Sequence, residues 1–157
     1  MGYSWSIKSG AGAAAIAASY KTIISAIASA NSRILLYEML FGTIGTPADQ
    51  VLQFSVDNES AMTAGTNNTT VTPTPQDPGP GTPPSPLTTA GGAWTTEPTV
   101  GTNFFEAGCN MRQMVRWVAK DGKELVAPAT ANHGIGLRIL SPTYTGDVRA
   151  TLFYTES

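Results

Sequence analysis

Near the end of the chain Val148, Ala150, Leu152 and Tyr154 alternate with Arg149, Thr151, Phe153 and Thr155. A side-chain period of two is the pleat of a β-strand with one buried face, and an amphipathic helix cannot produce it. The same alternation runs through Val51–Asp57, where Leu52, Phe54 and Val56 interleave with Gln53, Ser55 and Asp57. It returns at Ile135, Leu137 and Ile139, separated by Gly136 and Arg138 and ended by Pro142. Between Met111 and Lys120, Met111, Val115 and Trp117 face one way and Arg112, Arg116 and Lys120 the other. Asp121-Gly122 is a turn of the kind that joins hairpin strands, and Thr145-Gly146-Asp147 is a second turn. Several short strands divided by turns predict an all-β protein, an antiparallel sandwich or barrel. A length of 157 residues suits a single domain (1–157) with a core of its own. Because Cys109 is the only cysteine, no internal disulfide can staple it.

Three segments complicate this pattern. In Arg33–Ile44, Leu35, Tyr37, Met39 and Phe41 line one face, while Ile34, Leu36 and Leu40 line the other around Glu38. A sandwich strand normally keeps one wet face, so this one needs a second cover, either a loop of its own chain or a neighbouring subunit. In residues 12–30, Ile16, Tyr20, Ile23, Ile24 and Ile27 fall at helical spacing behind a helix-favouring Ala13–Ala15. The β-branched Thr22, Ile23, Ile24 and Ile27 equally permit an extended Tyr20–Ala28. Residues 58–101 read as a long Thr/Pro-rich loop. Prolines at 73, 75, 78, 80, 83, 84 and 86 remove backbone donors and exclude a central strand or helix. Residues 1–12 read as an extended N-terminal arm.

Catalytic chemistry has little to work with. His133, the only histidine, sits in Asn-His-Gly turn chemistry, and nothing in the sequence pairs it with Cys109 as a Cys–His couple would require. One His and one Cys do not make a zinc site, and Asp57, Glu59, Asp77, Asp121 and Asp147 lack calcium-loop spacing. Gly10-Ala-Gly12-Ala-Ala-Ala15 imitates a dinucleotide fingerprint, but too few residues precede it and the next acid is Glu38. The chain is therefore read as no enzyme, with no cofactor, metal or small-molecule substrate. Charged residues make up 13%, about half the usual share, and the net charge of −2 comes without a basic run. That pattern argues against direct nucleic-acid binding, and no basic amphipathic or long apolar stretch suggests a membrane. The first residues lack a charged segment followed by an apolar one, so no signal peptide is expected. Trp94 in the long loop is the one candidate aromatic platform for a carbohydrate.

Several phrases together resemble the small cement (decoration) proteins of phage capsids. They are Tyr20-Lys21-Thr22-Ile23-Ile24, Ala30-Asn31-Ser32-Arg33-Ile34-Leu35-Leu36-Tyr37-Glu38, Phe41-Gly42, Trp94-Thr95-Thr96-Glu97-Pro98-Thr99, Gly136-Leu137-Arg138-Ile139 and Val148–Tyr154. The insertion around Pro73–Pro86 is longer and richer in proline than that family leads one to expect. The resemblance implies a jelly-roll sandwich and favours strands over residues 12–30. It implies a virion structural protein on the capsid exterior, assembled in the host cytoplasm, with a homotrimer and the major capsid protein as partners. On this view the interface residues are Tyr3 and Trp5 in the arm, Leu35, Tyr37, Met39 and Phe41 in the two-faced strand, and Trp94 and Pro98 by the loop. A tail, adaptor or fibre-associated β module and a carbohydrate-binding sandwich are the alternatives.

Overall fold

The computed structural model describes residues 3–9, 19–62, 67–79, 85, 89–94, 96–141 and 147–157. Its regular elements are all strands, and every pairing between them is antiparallel. They are β1 (Ser4–Lys8), β2 (Lys21–Ile27), β3 (Ile34–Ile44), β4 (Val51–Ser60), β5 (Asn67–Val71) and β6 (Thr74–Pro75), followed by β7 (Thr89–Trp94), β8 (Thr99–Asn110), β9 (Val115–Val118), β10 (Leu125–Ala127), β11 (Gly134–Leu140) and β12 (Asp147–Glu156). One sheet places β9 and β10 along one side of β3, followed by β12, β1 and β6. The other runs β5, β7, β2, β11, β4, β8. The two pack as a sandwich. Ile7, Leu36, Met39, Leu152 and Tyr154 from the first sheet meet Ile23, Ile24, Leu52, Val56, Leu137 and Ile139 from the second, all essentially without exposure. Each such aliphatic side chain contributes roughly 1.5–3 kcal/mol by leaving water.

The alternation read at Val148–Thr155, Ile135–Ile139 and Leu52–Val56 is borne out: those apolar positions all face the core. Two β-bulges explain the places where simple alternation misleads. In β3, Leu36 stands opposite Tyr154 and Glu38 opposite Phe153, which leaves Tyr37 as an extra residue. An inserted residue reverses the facing of everything beyond it. Ile34, Leu36, Met39 and Phe41 therefore point inward, whereas Leu35, Tyr37 and Leu40 lie on the outer face. This corrects the expectation that Leu35, Tyr37, Met39 and Phe41 share a side. In β2, Leu137 faces Ile24 and Arg138 faces Thr22, so Ile23 is the extra residue. Ile23 and Ile24 thus both enter the core, while Ile27 packs with Met62 and Trp94 in a separate cluster. The helix-like spacing of Ile23, Ile24 and Ile27 arises from this bulged strand. Residues 10–18, with Ile16 and the Gly-Ala repeat, lie outside the described residues, as does the expected turn at Thr145-Gly146.

Other expectations are corrected. The arm is no arm over Ser4–Lys8: β1 is an internal strand held between β12 and β6. Residues 58–101 are not one loop. Ser60 of β4 pairs with Thr99 of β8, so the insertion spans 61–98, and it carries β5, β6 and β7. Pro75 sits in the outermost strand of its sheet, where a missing N–H costs no ladder bond. Met111 is buried, but in a turn before the short β9 rather than in a strand. Asp121-Gly122 forms a turn, with Lys123 N donating to Lys120 O at 2.8 Å and Gly122 at φ +72°. It does not join hairpin partners: β9 and β10 both pair with β3, one after the other, as two pieces of an interrupted edge strand.

Candidate functional site

Two surfaces of the sandwich have features that its core does not explain. The first is the outer face of the β3 sheet. Leu35, Tyr37 and Leu40 of β3 share that face with Phe153 of β12, Val126 of β10 and Val118 of β9. The Tyr37 and Phe153 ring centroids are 6.4 Å apart. Val118 is 51% exposed, and at the end of the face Met114 is 71% and Ile44 39% exposed. Leu40, Gly42, Ile44, Met114 and Arg149 line an open groove of about 410 Å³ there. A Cβ at Gly42 would meet Met114 only in ordinary contact, at 3.8 Å from its backbone. Glu38 and Arg116 supply one ion pair on this face, at 2.7 Å. The exposed Arg116 stays charged the more firmly for its hydrogen bond to Glu38. Such a concentration of apolar side chains on an outer face is the usual mark of a protein contact.

The second surface is the outer face of the β2–β11–β4 sheet, which alternation assigns to water. It is buried instead. Ser55, Asp57 and Glu59 project from β4, Thr22 and Ser25 from β2, and Gly134, Gly136 and Arg138 from β11. Asp57 accepts hydrogen bonds from Ser55 Oγ (2.7 Å) and Asn103 Nδ2 (2.8 Å), and the Arg138 guanidinium lies 3.8 Å away. Arg138 also sits 5.4 Å from the Tyr20 ring centroid. Burial, then the charges of Glu106 and Asp57, raise the Tyr20 hydroxyl above its ordinary pKa. Glu59 has no solvent exposure. Ser25 Oγ lies 2.7 Å and Thr22 Oγ1 3.3 Å from its carboxyl oxygens. Desolvation pushes its pKa up to about 8, against the opposing pull of Ser25, Arg138 and Thr22, so burial favours the neutral acid. Room for that carboxyl exists because position 136 is glycine, where a Cβ would occupy the same space.

The segment tied to this face is residues 96–98, through Glu97. β7 and β8 are separated by β2, β11 and β4, a span of about 19 Å in a flat sheet. The chain makes this crossing between Trp94 and Thr99, and residues 96–98 of it are described. Glu97 fastens that link to β2. Its Oε2 accepts from Thr22 N at 2.8 Å and from Thr22 Oγ1 at 2.5 Å, and Lys21 Nζ lies 3.5 Å from Oε1. The Thr22 N–H is available because β7 pairs with β2 only from Ile24 to Ile27.

The sequence-predicted interface residues are dispersed by this arrangement. Trp5, Met39 and Phe41 are core residues, Pro98 is buried beside the crossing, and Trp94 is 5% exposed and so offers no platform to a sugar. Only Tyr3, Leu35 and Tyr37 remain partly or well exposed, the last two on the apolar outer face. Cys109 and His133 are not partners. Cys109 pairs with Leu52, and Gly134, next to His133, pairs with Glu59. The seven residue steps along β4 from Leu52 to Glu59 amount to about 23 Å. Burial raises the Cys109 thiol pKa, which keeps the thiol protonated. Trp117 points inward and packs on Phe105 with ring centroids 5.4 Å apart. No group of three or more metal-ligating side chains occurs among the described residues, and none of their helices is long and apolar enough to cross a membrane. Comparison with known protein families, curated proteins and solved structures finds no match for this chain.

Proposed function

We propose that this chain is a virion structural subunit, a cement (decoration) protein that trimerises on the exterior of a tailed-phage head and bridges major capsid proteins. It works by binding and performs no catalytic step. The observation that carries the reading is the apolar outer face built by Leu35, Tyr37, Leu40, Val118, Val126 and Phe153. A second copy laid against this face would cover what the chain's own described residues leave open. The sequence phrases that resemble the cement family support the same reading. So does the strand order. Omitting the inserted β5, β6 and β7, the sheets run β9/β10–β3–β12–β1 and β2–β11–β4–β8. The chain changes sheet at every step but β4 to β8 and β9 to its continuation β10, and we read this as a jelly roll.

A trimer that touches several shell subunits gains avidity from weak individual contacts, which suits a chain with few charges. The test is the copy number of the chain in purified particles, by quantitative mass spectrometry. A number comparable to that of the major shell protein supports the cement role. A handful of copies per particle points to a tail or adaptor component and overturns it.

A further inference from the structure

Thr22 Oγ1 lies within hydrogen-bond reach of two carboxyls, 2.5 Å from Glu97 Oε2 and 3.3 Å from Glu59 Oε1. A hydroxyl owns one proton and can donate it once. Glu97 has the stronger claim. Its contact is shorter, and the Thr22 N–H donates to the same oxygen, so both Thr22 donors converge there. The contact to Glu59 is then favourable only if Glu59 is the donor, giving its own acid proton to Thr22 Oγ1. The rest of the site agrees with this polarity. Ser25 Oγ donates to the other oxygen, Glu59 Oε2, at 2.7 Å, as it would to the carbonyl of a neutral acid.

We propose that residues 96–98 form a proton-dependent latch, held on β2 by a Glu59-to-Thr22-to-Glu97 chain of hydrogen bonds that is complete only while Glu59 carries its proton. Loss of that proton leaves two acceptors competing for the single Thr22 hydrogen and adds a negative charge to a closed space. The groups around Glu59 do not absorb that charge. From β4, Asp57 repels it; from β11, Arg138 attracts it, but Arg138 is already shared between Asp57 and the Tyr20 ring. From the crossing comes Glu97, beside Lys21 of β2, and β8 adds Glu106 on the far side of Tyr20. Opening moves Glu97 away from Thr22 and admits water to Glu59. The raised pKa of Glu59 fits this account and places the working range on the alkaline side of the ordinary carboxyl value.

Amide exchange detected by NMR, corrected for the intrinsic pH dependence of exchange, tests the latch. Linkage to one proton predicts that protection of the Thr22 amide, the N–H that donates to Glu97, falls up to about tenfold per pH unit between roughly pH 5 and 8, while β12 amides change less. In Glu59→Gln, whose amide donates to Thr22 and accepts from Ser25 at any pH, the protection should be flat. Thr22→Val, which keeps the shape and removes the relay hydroxyl, should leave the residue-22 amide weakly protected throughout. A pH-independent profile in the wild type, the same slope in Glu59→Gln, or a Glu59→Gln chain that does not fold would overturn the proposal.

Discussion

Replacing Glu59 by glutamine should stabilise this protein at neutral and alkaline pH, although it removes a fully buried, hydrogen-bonded side chain. The reasoning is linkage. Below the ordinary carboxyl value of 4.5 the folded and unfolded chains both hold the proton, and the group adds no pH dependence. Between 4.5 and about 8 the unfolded chain releases it and the folded chain keeps it, so folding must take up a proton against a falling supply. Stability therefore declines as pH rises through that window, by about 1.4 kcal/mol per unit and at most about 5 kcal/mol in all. Above about 8 both states are ionised and the loss is complete. Glutamine mimics the neutral acid and cannot ionise, so the difference between variant and wild type isolates this one group. Urea unfolding at a series of pH values from 4 to about 9 measures it. The account requires the variant to be close to wild type at the acid end and to overtake it progressively. A difference that stays constant across the series, or a variant less stable everywhere, would refute the assignment of Glu59 as a buried neutral acid.

Three further substitutions probe the same structure. Gly136→Ala drives a methyl group into the Glu59 carboxyl and should cost about 1–3 kcal/mol by urea unfolding, less in a chain that also carries Glu59→Ala. Leu36→Ala should cost about 2–5 kcal/mol and Leu35→Ala under about 1 kcal/mol, because the Tyr37 bulge turns only the former inward; equal costs would contradict that register. Asn103→Ala strips donors from Ser55 and Asp57 and should lose about 1–3 kcal/mol, with no gain expected from raising salt.

Where the strand itself carries no extra residue and one face is dry, the sequence was readable. Leu52–Val56, Ile135–Ile139 and Val148–Tyr154 lie in strands whose alternation continues unbroken into the core. The bulges at Ile23 and Tyr37 were not readable, because one extra residue reverses a strand's facing while leaving local composition unchanged. Trp5 and Ile7 do alternate with Ser6, yet their place inside a sheet depends on pairing with Leu152 and Tyr154, far along the chain. The carboxyl site was hidden by a sound rule. Ser55, Asp57 and Glu59 look like the wet face of β4, yet Asn103, Arg138 and the Glu97 contact to Thr22 gather on that face and it is buried. A clue was present: this polar face carries short hydrogen-bonding side chains opposite Gly134 and Gly136, which leave space beneath a cover. Trp94, set among Gly, Ala and Thr, gave no local sign that it would be enclosed with Ile27 and Met62.

The central claim is that the outer face of the β3 sheet is a seam between copies of this chain, and the mass of the protein in solution tests it most directly. Sedimentation velocity at micromolar concentration should show a species of about 49 kDa, three chains of 16.4 kDa. Phe153→Glu or Leu40→Glu should convert it to a folded monomer with an unchanged circular dichroism spectrum. A wild-type chain that remains strictly monomeric at high concentration, or a trimer indifferent to both substitutions, would contradict the account.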